Sequence, residues 1–258
     1  MNSLHVGCVK YLNARPLIRG WPGNVEFDHP SALCQRLAEG QFDVALVSSF
    51  EFLRNPIYRI VDDVSISSDG PVYSVIVAHR GEFSDIEEIE LDPASTTAVN
   101  LLRCLLAELG LTPRLIGSSS ESAESSRARL IIGDQAIRFR QNHGDAFEFW
   151  DLGEQWKKLT ALPFVYALWL IRPEVPDAES MARRLRELRD ENLAEIEVIV
   201  SDAADNTQKI PAEFLVRYYN EHLRFGFGTR EKQALQTFAN LCAKHGVLPT
   251  PVRKFNVV

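Results

Sequence analysis

The chain opens with an apolar run that leads directly into a polar loop, Leu4-His5-Val6-Gly7-Cys8-Val9 and then Lys10-Tyr11-Leu12-Asn13-Ala14-Arg15-Pro16-Leu17. A short, valine-containing apolar run predicts a buried strand of a parallel sheet. The loop then follows the carboxyl end of that strand, which is the edge where open α/β sheets bind small molecules. Because no charged and apolar leader precedes the strand, we expect a cytoplasmic protein.

Strands and helices alternate through the first half of the chain. The apolar segments 25–27 and 42–47 predict two further strands, and a helix over 31–38, capped by Ser31, separates them. A short helix through Leu53 follows the second of these strands. This β-α-β-α-β order implies a parallel sheet with helices on its faces.

The rest of the chain continues with strands and then becomes mostly helical. The Ser-rich stretch 118–126 predicts a flexible loop mixed with a short, well-capped helix. The other predicted elements are strands over 72–78, 89–91, 114–116, 130–132 and 164–171, and helices over 97–109, 178–199, 212–221 and 229–244.

This order of elements predicts two lobes. The chain leaves the first lobe near residue 75, builds the second, and returns near residue 165 through its most apolar strand. Lobe one would then comprise residues 1–75 plus 166–258, and lobe two residues 76–165. Two crossings create a hinge and a cleft, a common place for a small ligand.

The composition excludes several classes of protein. The chain has 258 residues, a formal net charge of -7 and 45% hydrophobic residues, which is ordinary for a globular protein. The acidic balance argues against general nucleic-acid binding, and no apolar run approaches the roughly 18 residues of a membrane helix. The dispersed cysteines predict buried, reduced thiols, and the histidines lack metal-ligand spacing, so we expect no metal site.

Polar residues of the first loop are candidates for ligand binding. Asn13 offers both a donor and an acceptor, which suits a ligand hydroxyl or carboxylate, although an asparagine can also satisfy its own turn. Arg15 could form a bidentate pair with a carboxylate or an ion pair with a nearby acid. Tyr11 of the same loop and Ser74, near the 72–78 strand, could converge on the same cleft.

Hydroxyl residues at two predicted helix starts are further candidates. Ser48-Ser49 and Ser95-Thr96-Thr97 offer hydroxyls and free backbone N–H groups, which suit an anion or serve as ordinary caps. Two helix N-termini that face each other across a cleft would suit a ligand with two carboxylates. Asp134, after Gly133, could orient a ligand hydroxyl or cap the next helix. The sequence has no GxSxG, P-loop or GxGxxG motif, which weakens nucleophilic and nucleotide-dependent chemistry.

At these residues the sequence resembles a known family. The motif Val9–Leu17 closely resembles the N-terminal signature of the MqnA family, the chorismate dehydratases of the futalosine route to menaquinone. The resemblance covers roughly residues 1–170, and the helical tail is less distinctive. Further stretches that resemble the family, in family order, are 47–51, 70–75, 91–97, 132–136 and 162–165.

The resemblance implies a fold like the type 2 periplasmic binding proteins and a cytosolic hydro-lyase that needs no cofactor or metal. It implies that chorismate loses water to give 3-[(1-carboxyvinyl)oxy]benzoate. Asn13 and Ser74 would then act on the reacting ring, and Tyr11, Gly133 and the hydroxyl residues would contact substrate. The family motifs hold no obvious base apart from Glu51, which we expect at the helix surface, so a substrate carboxylate is expected to take the proton.

Two other functions remain open at this point. The first is a non-catalytic cytosolic binding or sensor protein for small carboxylates, because this fold permits it. The second is an enzyme of the sister MqnD family, which acts on a later menaquinone precursor and carries a different first-strand motif. An apolar face on the 164–171 strand or on the tail helices would support a homodimer.

Overall fold

The structure is a computed structural model that describes residues 4–117, 128–207, 210–252 and 254–258. The predicted Ser-rich loop at 118–126 lies outside the described residues. Ten strands are found in the described part of the chain: β1 (Val6–Val9), β2 (Val25–Asp28), β3 (Val44–Ser48), β4 (Arg59–Ser68), β5 (Val75–His79), β6 (Glu88–Leu91), β7 (Arg114–Gly117), β8 (Ala128–Ile132), β9 (Glu148–Asp151) and β10 (Phe164–Ile171).

Helices connect these strands and form most of the carboxyl-terminal third. Short 3₁₀ turns cover Leu12–Ala14 and Phe83–Asp85, and a π-helical turn covers Tyr218–His222. The α-helices are α1 (Arg15–Ile18), α2 (Pro30–Ala38), α3 (Ser49–Arg54), α4 (Thr96–Glu108), α5 (Gly133–His143), α6 (Leu152–Thr160), α7 (Ala178–Ala194), α8 (Ile196–Thr207), α9 (Ala212–Arg217) and α10 (Thr229–Lys244).

The strands that the structure describes form two five-stranded sheets. The first has the order β2-β1-β3-β10-β4 and the second has the order β7-β6-β8-β5-β9. The chain passes from the first sheet to the second between β4 and β5, and it returns between β9 and β10. The three strands β1, β2 and β3 are parallel, as predicted, whereas β10 runs antiparallel to both β3 and β4.

The structure corrects several predicted elements. Strand β4 was not predicted, because the charged pair Asp62-Asp63 interrupts its apolar pattern. The strand is also irregular in the structure, since Asp63 has a φ of 60° and the pairing between β4 and β10 shifts register. The predicted helix over 178–199 is two helices, α7 and α8, separated at Glu195. The prediction that Ser31 caps the second helix is wrong: the N-cap is His29, and the helix begins at Pro30, whose missing N–H costs nothing in the first turn.

A continuous cluster of buried apolar side chains extends through both sheets. Helix α10 packs against both β10 and α4, so the carboxyl-terminal part covers the region where the two sheets meet. The four cysteines are free and buried, as predicted, and the thiols of Cys104 on α4 and Cys242 on α10 lie 3.7 Å apart. Across the described residues, no helix has the length and apolarity needed to cross a membrane.

Candidate active site

A cavity lies between the two sheets, at the carboxyl ends of β1 and β3. The volume that the centres of water molecules can occupy in this cavity is about 50 Å³. One water needs about 10–15 Å³ by the same measure, so the cavity is larger than a single-water site. Residues from both sheets line it. The lining includes seven of the predicted site residues, namely Tyr11, Asn13, Ser48, Ser74, Ser95, Thr97 and Gly133.

Asn13 is held in the cavity by the turn that follows β1. The 3₁₀ turn Leu12–Ala14 leads into α1, where Pro16 fits the first turn because its fixed φ suits a helix and its missing N–H leaves no bond unmade. The Oδ1 atom of Asn13 is buried and has no hydrogen-bond partner within the described part of the chain. A buried polar atom without a partner is costly, so this oxygen is a site for a ligand donor.

The N-termini of α3 and α4 meet beside the cavity and cap each other. Ser48 Oγ accepts a bond from the backbone N–H of Thr97 at 3.1 Å, and Thr97 Oγ1 accepts one from the N–H of Phe50 at 3.1 Å. The hydroxyls of Ser48 and Thr97 also bond to each other. Ser95 caps its own helix, since its Oγ accepts from Ala98 N at 3.2 Å. The hydroxyls of Ser48, Ser95 and Thr97, which the sequence offered to an anion, therefore already have partners within the protein.

The segment that carries Ser74 is shaped by a buried aspartate. Asp151 accepts bonds from the backbone N–H of Val72 at 3.0 Å and of Tyr73 at 2.7 Å, and it also caps α6. Tyr73 has a φ of 68°, a costly conformation for a residue with a side chain. Burial raises the pKa of Asp151, while these N–H bonds and the nearby Arg140 act in the opposite direction. No sequence motif pointed to Asp151.

Gly133 allows the second sheet to approach the first loop. Its φ is +60°, and a Cβ atom at this position would lie 2.8 Å from Tyr11 Cδ1, so only glycine fits. The N–H of Gly133 also donates to Ser74 O at 2.7 Å. The next residue, Asp134, accepts from Leu12 N at 3.0 Å. Burial raises the pKa of Asp134, and the Leu12 N–H bond opposes that shift.

The remaining predicted residues do not line the cavity. Arg15 lies in a separate outer groove with Lys10 and Arg19. Ser49 Oγ donates to Val165 O at 2.7 Å, and Thr96 is on the first turn of α4 outside the cavity lining. Asp134 lies outside the cavity lining and holds the first loop by accepting a hydrogen bond from Leu12 N.

The expectation that Glu51 faces the helix surface is wrong. Only 2% of the Glu51 side chain is exposed, and it pairs with Arg54. Burial raises the pKa of Glu51, and the guanidinium of Arg54 counters this. Glu51 does not belong to the cavity lining, so its carboxylate belongs to the packing of α3.

The polar groups of the cavity are hydroxyls and one amide. Among the described residues of its lining there is no carboxylate, imidazole, ammonium or guanidinium group. Burial raises the pKa of both Tyr11 and Tyr166, so these phenols remain neutral donors. Tyr166 was missed by the sequence analysis, although it follows directly on the 162–165 stretch. The apolar lining residues Pro30, Ile66 and Val72 carry no sequence signal of their own.

Comparison with solved structures identifies the fold. A crystal structure of a protein from Archaeoglobus fulgidus matches with a TM-score of 0.77 at 16% identity, covering 95% of this chain and 98% of that one. The periplasmic aliphatic sulphonate binding protein of Escherichia coli matches with a TM-score of 0.66 at 15% identity, covering 98% and 90%. These likenesses confirm the predicted α/β fold of the periplasmic-binding-protein type.

Sequence comparison identifies the family. A chorismate dehydratase of Thermus thermophilus is 29% identical over 93% of this chain and 95% of that protein. A chorismate dehydratase of Campylobacter jejuni is 25% identical over 90% of each chain. The family model described as menaquinone biosynthesis matches residues 4–244, so nearly the whole chain is covered. The chain therefore belongs to the menaquinone biosynthesis family.

Proposed function

We propose that this protein is a chorismate dehydratase, a hydro-lyase that converts chorismate into 3-[(1-carboxyvinyl)oxy]benzoate and water. The relatives that cover nearly the whole chain carry that activity in their names. The observation that carries the proposal is the unpartnered Oδ1 of Asn13 in a cavity whose described lining has no ionisable group other than phenols. Such a cavity can hold and orient a substrate that brings its own charges.

The reaction breaks two bonds of the substrate ring. The C–H bond breaks at the carbon that bears the enolpyruvyl ether, and its electron pair forms a ring double bond to the adjacent carbon. The C–O bond of that adjacent carbon breaks as this double bond forms, and the departing hydroxide combines with a proton, equivalent to the one removed from the ring, to leave as water. The ring becomes aromatic, so the protein mainly has to hold one conformer and provide for the proton and the leaving group.

Asn13 is placed to orient the ring hydroxyl. An unpartnered amide oxygen accepts a hydrogen bond, and the hydroxyl that leaves is a donor. Ser74 lines the same cavity and is fully buried, so its bond to a ligand oxygen does not compete with bulk water. The proposed roles are that Asn13 orients the ring and Ser74 contacts the reacting region.

The carboxylates of the substrate need donors, and the two helix N-termini provide them. A carboxylate that enters between Ser48 and Thr97 would replace the bonds that these groups now make to each other. The exchange keeps every donor satisfied, because each N–H or O–H gives up one acceptor for another. Ser95 and Tyr11 line the same space and complete the set of hydroxyl donors.

The proton acceptor is proposed to be a carboxylate of the substrate itself. This is supported by the lining, where the described residues include phenols whose pKa is raised by burial but no carboxylate or imidazole. Asp134, which directly follows the lining residue Gly133, has a carboxylate that accepts a hydrogen bond from Leu12 N. An Asp134→Asn variant that binds chorismate with unchanged affinity but has lost turnover would contradict this assignment.

The test is to incubate the purified protein with chorismate, without added metal or cofactor, and to follow the products by mass spectrometry. We expect a product that has lost one water. Intact chorismate that is nevertheless bound would favour the second candidate, a binding protein, which the likeness to a sulphonate-binding protein supports. Absence of binding would favour a later precursor of the same pathway. Cytoplasmic location and a homodimer remain predictions.

A further inference from the structure

The π-helical turn Tyr218–His222 lies behind the cavity, in the part of the chain where the sequence was least distinctive. Single π-helical turns are rare and often occur at functional sites. Tyr218 and Tyr219 are almost completely buried, with 1% and 3% of their surfaces exposed. Neither belongs to the cavity lining, so any influence on a ligand has to pass through other residues.

Tyr218 is bonded to a residue that does line the cavity. Its hydroxyl donates to Ser74 Oγ at 2.7 Å, and both side chains are buried. A serine oxygen that accepts this bond still has its own hydrogen to donate. Burial raises the pKa of Tyr218, so the phenol stays a donor at neutral pH. The bond from Tyr218 therefore leaves the hydrogen of Ser74 for an acceptor in the cavity.

The neighbouring tyrosine reaches the other key segment. Tyr219 donates its hydroxyl to Leu12 O at 2.9 Å, the carbonyl directly before Asn13. A third contact joins His222 Nδ1 to Pro71 O at 3.0 Å. Successive side chains of a helical turn point in different directions around its axis, which lets this one turn contact both the first loop and the segment before Ser74.

We propose that the turn Tyr218–His222 is a positioning element that sets the placement of Ser74 relative to Asn13. Tyr218 acts through Ser74, by directing its hydroxyl hydrogen into the cavity, and Tyr219 fixes the carbonyl that precedes Asn13. This inference rests on the proposed function, because its main measurement is the turnover of chorismate.

The test compares three tyrosine-to-phenylalanine variants. Tyr218→Phe should lower kcat about 10-fold with KM changed less than about twofold, because it misdirects a donor rather than removing one. Tyr219→Phe should have a smaller effect in the same direction. Tyr58→Phe is the matched control, since Tyr58 is equally buried and hydrogen-bonded to Asn55 but does not line the cavity. Unchanged kcat in Tyr218→Phe would overturn the inference.

A double-mutant cycle separates positioning from a general structural role. If Tyr218 acts through Ser74, then Tyr218→Phe should have no further effect on kcat in a Ser74→Ala background. An equal loss in both backgrounds would show that Tyr218 acts independently of Ser74, which contradicts the proposal. Melting temperatures of all variants show whether each one is folded.

A measurement without substrate keeps this inference separate from the proposed function. Amide hydrogen exchange is followed in peptides that cover residues 70–76 and 11–15 of the ligand-free protein. We expect faster exchange at 70–76 in Tyr218→Phe and at 11–15 in Tyr219→Phe, with neither change in Tyr58→Phe. If the wild type fails to act on chorismate, the proposed function is wrong. Unchanged hydrogen exchange in both variants would refute the positioning role, whether or not the wild type turns over chorismate.

Discussion

Two segments near the cavity differ in what they contribute to it. The first loop, Tyr11–Arg15, places the ring of Tyr11 and the side-chain amide of Asn13 in the cavity. The turn Tyr218–His222 places nothing there, yet it bonds to Ser74 and to Leu12. One segment therefore supplies contacts, and the other fixes where those contacts lie. Substitutions should therefore separate loss of a contact from loss of its position.

The largest effect is expected at Asn13. Asn13→Ala should lower kcat about 100-fold, because the reacting ring loses the group that orients it. Stability should change little, since Asn13 Oδ1 makes no bond in the described structure. The control is Asn192→Ala. Asn192 is also buried but donates to Pro16 O and Arg19 O, so this variant should lose stability and retain kcat. Normal turnover by Asn13→Ala would remove the proposed role.

The next effect is expected where the second sheet approaches the first loop. Gly133→Ala should destabilise the fold by about 2 kcal/mol, because alanine is strained at a φ of +60° and its Cβ meets the ring of Tyr11. For a chain of this length the melting temperature should fall by about 6 °C. Gly144→Ala, at the far end of α5 where the space is ordinary, is the control. Equal melting temperatures for the two variants would show that the approach is not tight.

A smaller effect with a defined pH dependence is expected at Asp134. Burial raises the pKa of Asp134 in the folded protein. Stability is therefore lost as the pH rises from the ordinary carboxyl pKa of about 3.9 through the raised pKa, and no such loss exists below the ordinary value. Asp134→Asn keeps an acceptor for Leu12 N and should stabilise the fold at pH 7 by less than about 1 kcal/mol. The gain should shrink as the pH falls.

Thermal unfolding between pH 3.5 and pH 7 measures the difference between Asp134→Asn and the wild type. Asp145→Asn, an exposed carboxylate just beyond the other end of α5, should show no such trend. A difference that grows as the pH falls would mean that the pKa shift of Asp134 has the opposite sign.

The smallest effect is expected at Arg15, in the same loop as Asn13. Its side chain lies in the outer groove rather than the cavity, so Arg15→Ala should change kcat by less than about threefold. Steady-state kinetics beside Asn13→Ala make the comparison within one segment. A loss of kcat as large as that of Asn13→Ala would place Arg15 in contact with the substrate.

Much of the site could be predicted from the sequence, because its residues follow strands. Asn13 lies in the loop after β1, Ser48 is the last residue of β3 and Gly133 directly follows β8. The carboxyl ends of strands bring such residues together. The sequence could not show that Arg15 turns to the outer groove. It also could not show that Ser48 and Thr97 cap each other across 49 positions of the chain, since neither helix start carries a mark of its partner.

The order of apolar runs and turns was enough to determine an α/β fold, the strand at 164–171 and the helix at 229–244, because burial imposes a local period on each. Only the tertiary structure decided which hydroxyls face the cavity and which residues hold them there. Asp151 lies 78 positions from Tyr73, whose backbone N–H it accepts from. Tyr218 lies 144 positions from Ser74, to whose oxygen it donates. Such long-range bonds leave no periodic signal, because they depend on how two sheets and a distant turn come together.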